Sequence, residues 1–322
     1  MNFAGGTSAR LAELAALEGV AVRQQVPLST CGTFELGGPA AGVIDVETPA
    51  ALGQIRRALT PDEFSRSLLI GKGSNLLFSD QGWPGWIIRY TAAFVPPAQV
   101  GEHLWEVPAA VDLDDLAAWA CTAGLEGWTS FSGIPGTLAG AISGNAGAWG
   151  VQIADRITEV GGWDAEVNAA RWEAADCGFA YRDSRFRGEK AWIATLRFRT
   201  WPGDAEALLT ERNRILAVRA EKHPDWRTTP CIGSYFRNLE PTSAASRRQA
   251  AGWFLDQIGA RGRRLGGAAI FEKHANIPIK ASEDCTASDV HHLMMQLQQE
   301  VKQSFGFTLQ REIRHVGKFD SI

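Results

Sequence analysis

The chain has 322 residues, enough for two or three domains with sizeable cores. Its 32 Lys and Arg stand against 36 Asp and Glu, a net charge of −4, which excludes a general nucleic-acid binder. A hydrophobic content of 45% with 21% charged residues excludes wholesale disorder, and no apolar run reaches the ~18–20 residues of a membrane span.

Leu11, Leu14 and Leu17 repeat every three residues and predict a short amphipathic helix. Leu52, Ile55, Ala58 and Leu59 do the same behind Pro49, a residue suited to a first helical turn. The apolar run 67–70 stops at Gly71 and reads as a buried strand, as does 85–90. Leu113, Leu116, Ala117 and Ala120 form a helical stripe. Strands are expected at 157–160 and 192–199, then a helix over 204–221 with Leu208, Leu209, Ile215 and Leu216 on one side. A further helix over 249–258 ends at Gly259. The clearest helix is 287–305, with Val290, Leu293, Met294, Leu297 and Val301 on one face and Met294 as core filler. Thr286 and Asp289 resemble a capping box, and Gly306 ends the helix. The chain is thus a mixture of α and β, with boundaries expected near 95 and 203; Pro202-Gly203-Asp204 is a turn signal.

Five cysteines (31, 121, 177, 231, 285) are scattered, odd in number and lack any C-x-x-C, so reduced thiols in a cytoplasmic protein are expected. No signal peptide is expected from the N-terminal residues, and six dispersed histidines suggest no metal.

The informative glycines are concentrated. Gly133, Gly136, Gly140, Gly144, Gly147 and Gly150 fall at steps of 3, 4, 4, 3 and 3, near helical periodicity. Glycine costs a helix about 1 kcal/mol relative to alanine, so such a stripe needs close approach of a backbone or a ligand. With Pro135 in the first helical position, the amides of Gly136 and Thr137 would face a phosphate. The alternative is a Gly/Ala helix used for packing, or a linker. A second cluster, Gly71-Lys-Gly-Ser-Asn-Leu-Leu77, follows a strand and reads as an anion-binding nest or an ordinary tight turn. It matches neither the P-loop nor the G-x-G-x-x-G fingerprint. Together the two favour a dinucleotide held by backbone amides.

These segments resemble the FAD-binding motifs of the UDP-N-acetylenolpyruvoylglucosamine reductase (MurB) family: Leu68–Leu77 and Ser132–Gly150. Thr33–Ala40, Tyr181–Phe186, Gly233–Asn238, Gly266–Asn276 and Glu312–Gly317 match in the family's order, over roughly residues 25–317. Nothing is inserted after Tyr181-Arg-Asp, which resembles the shorter (type II) form, the one without a Tyr-bearing substrate loop. The resemblance implies an α+β fold. A two-part FAD-binding module of the p-cresol methylhydroxylase type, residues 1–95 and 96–203, would precede a third, α/β substrate-binding domain, 204–322. It implies non-covalent FAD, NADPH as reductant, and reduction of the enolpyruvyl ether of UDP-N-acetylglucosamine to UDP-N-acetylmuramate in peptidoglycan synthesis. The partner is then a small molecule, with no nucleic acid, membrane or metal involved.

By the same resemblance FAD contacts fall on Gly71, Lys72, Gly73, Ser74, Asn75, Leu76, Ser132, Gly133, Pro135, Gly136, Thr137, Gly140, Gly144, Asn145 and Gly147. Arg182 and Glu312 would attend the substrate carboxylate, where charge develops as hydride adds to the vinyl carbon. Arg182 offers a fork that fits a carboxylate, although a salt bridge with Asp183 would also explain it. Glu312 must be protonated, or act through Arg314 or water, since a bare anion opposes the substrate; a strand-surface charge is the plain alternative. Ser234 would give its proton to the carbanion, although a Gly-Ser pair is usually a turn. Lys222 and Asn238 would contact the diphosphate region; Lys222 would otherwise be a solvated helix end. His274 and Asn276 carry no assigned role, and a hydrogen-bonded structural histidine is an equal reading. Trp149 stands where the family often has Tyr. Two other hypotheses compete: an FAD oxidase on the same module, and a non-catalytic nucleotide-sugar binder. Intact Arg182, Ser234 and Glu312 weigh against both.

Overall fold

The computed structural model describes residues 4–188, 190–241 and 248–320, with side chains described from residue 9 onward. The chain divides into two compact units, each assembled from three stretches. The first comprises Met1–Gln24, Ala41–Lys72 and Gly85–Ala217; the second comprises Gln25–Ala40, Gly73–Pro84 and Val218–Ile322.

The first unit is built around two sheets. One has the order Val20–Pro27, Pro39–Val46, Trp83–Tyr90, Leu68–Ile70, with the last two strands parallel. The other is antiparallel: Ala169–Glu173, Ile157–Trp163, Trp192–Arg199, Leu104–Pro108, Ala98–Gly101. The helix Pro49–Ala58 starts as expected, with Pro49 in the first turn and the Thr48 side chain accepting from the Ala51 amide at 3.1 Å. Its stripe of Ala51, Leu52 and Ile55 is buried, and a methyl added to Gly53 would overlap the Trp163 ring. That tryptophan needs the missing side chain as its seat. The helix Leu113–Thr122 buries Leu113, Leu116, Ala117 and Ala120 in the same core. The helix Ala205–Lys222 departs from its expected face. Ile215 is its one buried residue and Leu209 is 37% exposed. Part of this helix is instead tied by charge, Arg212 meeting Asp114 at 2.6 Å.

The second unit packs the helices Ala251–Gln257 and Ala287–Phe305 with a three-stranded antiparallel sheet, Arg264–Leu265, Ala268–Ile270 and Pro278–Lys280. The long helix fulfils its sequence pattern: Val290, Leu293, Met294, Leu297 and Val301 are buried. Thr286 and Asp289 form the reciprocal cap, and Gly306 closes the helix at φ 80°. Leu76–Phe78 and Arg314–Val316 pair in parallel to complete the unit.

The glycine stripe is corrected by the structure. It is not one helix. Only Leu138–Ser143 is helical, with Thr137 as its N-cap and Gly144 as its C-cap. Pro135 lies outside the helix, and Gly136 at φ 117° has a conformation no helix contains. The start is therefore capped internally, by Thr137 Oγ1 accepting from the Gly140 amide at 3.3 Å. Gly147 belongs to a two-residue strand paired with Val151–Gln152, and Gly150 is in the connecting turn at φ 79°. Cap, turn and hairpin glycines happened to fall at near-helical spacing.

Candidate active site

In the first unit, the first glycine of one glycine-rich segment meets the other segment at Thr137. A methyl on Gly71 would overlap Thr137 Oγ1 and stand 3.0 Å from its Cγ2, so only glycine lets the turn after Leu68–Ile70 approach this closely. Lys72 Nζ pairs with the Asp112 carboxylate, and Asp112 forms a bridge with Thr137. Burial pushes the Asp112 carboxyl up, outweighing the pull of Lys72 in the other direction. Ser132 is wholly buried, and its Oγ has no hydrogen-bond partner among the described residues. Beside it, the Gly133 amide donates to Asp114 Oδ1 at 2.8 Å, which also accepts from Arg212. Sequence reasoning missed Asp112 and Asp114. The signal available was an acidic cluster, Asp112-Leu-Asp-Asp115, opening the helix Leu113–Thr122.

Asn145 is spent inside the fold. It is buried, adopts φ 41°, donates to Gln152 Oε1 and the Ala180 carbonyl at 2.9 and 2.8 Å, and accepts from the Ala154 amide at 3.2 Å. Its bond to Ala180 secures the turn that presents Arg182. Ala180 and Asp183 exchange two backbone hydrogen bonds, which leaves Tyr181 and Arg182 as the turn's tip. Arg182 takes φ 54°, its guanidinium lies 5.5 Å from the Tyr181 ring centroid, and its carbonyl accepts from Arg187 at 2.6 Å. A left-handed non-glycine residue costs roughly 1–2 kcal/mol, and such strain gathers at functional turns.

In the second unit, four motif segments form one hydrogen-bonded row. The Glu312 amide donates to the Tyr235 carbonyl at 2.8 Å, the Arg237 amide donates to Gln310 at 2.8 Å, and Phe236 bridges Arg311. On the other side Asn276 clamps the same loop. Its carbonyl accepts from the Tyr235 amide at 2.9 Å, its Oδ1 accepts from the Phe236 amide at 3.0 Å, and its Nδ2 donates to the Phe236 carbonyl at 2.8 Å. Through these three bonds Asn276 holds the loop that carries Ser234. Asn75 joins the row from the other glycine cluster, Nδ2 donating to the Glu312 carbonyl at 3.4 Å while its own carbonyl accepts from Arg314 at 3.0 Å. Gly73 takes φ 65° and Leu76 returns a hydrogen bond to its carbonyl, so this part of the cluster is a tight turn. Burial lowers the Arg314 guanidinium from its ordinary value.

Lys222 is the exposed last residue of its helix. Asn238 is exposed, and its Oδ1 accepts from the Ala251 amide at 3.1 Å, at the start of the helix Ala251–Gln257. His274 packs 5.3 Å from His223, centroid to centroid, and its Nδ1 accepts from the Asn276 amide at 3.2 Å. Burial, then the neighbouring His274, Arg219 and Lys222, push His223 down to about 4.

The UDP-N-acetylenolpyruvoylglucosamine reductase C-terminal domain model matches residues 224–316. A reductase of that name from Solibacter usitatus is 33% identical over 319 residues, covering 94% of this chain and 99% of the relative. The chain belongs to the UDP-N-acetylenolpyruvoylglucosamine reductase family. A second reductase, from Carboxydothermus hydrogenoformans, is 33% identical across 92% of this chain and 94% of its own length. The solved reductase from Thermus caldophilus superposes with a TM-score of 0.74 at 25% identity, covering 92% of this chain and 99% of that one. The mixed α+β fold read from the sequence matches that reductase structure. The C-terminal reductase model takes in Ser234, Asn238, Asn276 and Glu312, whereas Lys222 precedes it.

Proposed function

We propose that this member of the reductase family is an NADPH-dependent flavoenzyme. It would reduce the enolpyruvyl ether of UDP-N-acetylglucosamine to UDP-N-acetylmuramate in peptidoglycan synthesis. The observation that carries the reading is the row in the second unit that ties the Ser234 loop and Glu312 together by backbone hydrogen bonds. Family membership over nearly the whole chain supports it.

The residues present fit FAD. A wholly buried Ser132 hydroxyl with no partner among the described residues costs about 1–3 kcal/mol unless a ligand satisfies it. Gly71, Lys72, Gly73, Ser74, Asn75 and Leu76 would hold the cofactor together with Ser132, Gly133, Pro135, Gly136, Thr137, Gly140, Gly144 and Gly147. Asn145 would serve by bracing this segment. Bound there, FAD would supply hydride chemistry, with NADPH as the reductant and the vinyl carbon of the substrate as the acceptor. Arg182 meets the carboxylate with two parallel donors and opposes the charge that gathers there. Glu312 would attend the same charge, either carrying a proton or acting through Arg314 or a water, since a bare anion would repel it. Ser234 gives its hydroxyl proton to the carbon next to the carboxylate. A serine is a weak acid, so this step needs water excluded and the hydroxyl held in place. Lys222 and Asn238 bind the diphosphate region of the substrate.

We assign the chain to the shorter form of the family. We also propose the tripartite division 1–95, 96–203 and 204–322, the first two parts composing a p-cresol methylhydroxylase-type FAD module. Among the described residues no helix is long and apolar enough to cross a membrane, and the five cysteines are free and buried. Free thiols suit a reducing cytoplasm.

An absorption spectrum tests the cofactor: bands near ~450 nm and FAD released on denaturation are expected, and a colourless protein refutes the reading. NADPH oxidation should depend on the enolpyruvyl substrate. Ser234→Ala should leave reduction of the bound flavin intact and slow its reoxidation; equal turnover removes Ser234 from the mechanism.

A further inference from the structure

Tyr235 follows Ser234 and is fully buried. Its hydroxyl oxygen lies 2.9 Å from His315 Nε2, and His315 Nδ1 faces the Arg311 guanidinium at hydrogen-bonding distance. A guanidinium can only donate, so Nδ1 accepts and the imidazole proton resides on Nε2. The polarity of the chain is then fixed: Arg311 donates to His315, and His315 donates to Tyr235.

Two further rings pack against the imidazole. Phe319 stacks on it with ring centroids 4.2 Å apart, and His291 meets it edge-on at 5.1 Å. Burial, Arg311 and His291 all oppose a second proton and push His315 down to about 3, so the ring stays neutral. His291 is itself lowered, chiefly by burial, and its Nε2 lies 3.2 Å from the Asp320 carbonyl.

These side chains return to the strand that already holds the loop by its backbone. Glu312, next to Arg311, donates its amide to the Tyr235 carbonyl at 2.8 Å. Tyr235 is therefore fastened twice to residues 311–315, once through its carbonyl and once through its phenol. The bonds with Asn276, Gln310 and Glu312 hold the loop's main chain, and the phenol adds a side-chain tie at the residue next to Ser234. We propose that Arg311, His315 and Tyr235 form a positioning relay that fixes the Ser234 hydroxyl in register with Glu312 for the protonation step. This rests on the function proposed above. None of the three touches the reacting atoms, and all act through the loop they hold.

The test uses FAD-loaded enzyme and follows the two half-reactions by stopped flow in H2O and D2O. The variants are Tyr235→Phe, His315→Phe and His315→Gln. Phe keeps the packing and removes the hydrogen bonds. Gln can accept from Arg311 and donate to Tyr235. Flavin reduction by NADPH should stay within about twofold in all three, while reoxidation by the enolpyruvyl substrate slows about 10–100-fold in both Phe variants, the cost of a misplaced group. The solvent isotope effect on reoxidation should rise in those two, and His315→Gln should recover most of the rate. Reoxidation at the wild-type rate in His315→Phe, or both half-reactions slowed equally in all three, overturns the relay. Wild-type enzyme that the substrate cannot reoxidise overturns the proposed function as well, a distinct result.

Discussion

Replacing Gly71 with alanine tests how the two glycine-rich segments meet. Gly71 does not need a left-handed backbone, so the substitution acts through contact alone. The new methyl would overlap Thr137 Oγ1 and lie 3.0 and 3.1 Å from Cγ2 and Cβ, inside the 3.4 Å of ordinary contact. Thr137 is 2% exposed and cannot swing into solvent. It must give up its cap on the Gly140 amide, worth about 1 kcal/mol, and shift its neighbours, an overpacking cost of about 1–3 kcal/mol. Gly71→Ala should therefore destabilise the protein by about 2–4 kcal/mol, read from urea unfolding with FAD removed. A double-mutant cycle isolates the cause. Thr137→Ala alone should cost about 1 kcal/mol, and in that background Gly71→Ala should cost less than in wild type. Additive costs would show that the two residues do not collide, and the reasoning about this contact would fail.

Asn276→Ala should cost about 2–4 kcal/mol, since two buried backbone groups of Phe236 lose their partner, and it should slow reoxidation of flavin more than its reduction. Wild-type stability and kinetics would dismiss the clamp. Arg182→Lys should lower kcat/KM about 10–100-fold, because a point charge cannot copy a bidentate fork; unchanged kinetics refute the role. His223 has a folded-state value near 4, below its unfolded value near 6.5, so the unfolded chain binds the extra proton between them. Its contribution to stability is complete above about pH 6.5 and is lost as pH falls toward 4. His223→Asn should flatten that part of the curve of unfolding free energy against pH, and an unaltered slope would count against it.

Much of the fold could be read directly where one local rule dominates. Pro49 and Thr286-x-x-Asp289 announced helix starts because first-turn and capping preferences are chemistry between near neighbours. The stripe from Val290 to Val301 was legible because a single core lines one face. The stripe in Ala205–Lys222 misled because an apolar pattern does not say how much core is available to receive it. Glycines 133 to 150 misled for another reason: spacing alone does not separate a helix from a cap, a turn and a hairpin. The row linking Ser234, Asn276, Asn75 and Glu312 had no signal at all from spacing. Most of its hydrogen bonds use backbone groups, which every residue has, the Asn276 and Asn75 side chains apart, and outside the 71–77 cluster only the family resemblance singled out the segments. Asp112 was passed over because its partner, Lys72, lies far away in sequence.

The parallel pair Leu76–Phe78 and Arg314–Val316 joins strands whose first residues are 238 positions apart (314 − 76). A ribosome adding roughly 5–20 residues per second would need about 12–48 s to cover that interval. All that time the early strand waits with an open edge, and Gln25–Ala40 waits with it for the body of its unit. The first unit, whose last stretch ends at Ala217, has all its pieces much sooner. A nascent chain arrested shortly after that point would hold one unit able to close and two segments with nowhere to go. Arrest-peptide force profiles should then show a first pull once Ala217 leaves the exit tunnel, and a second only after Val316 does.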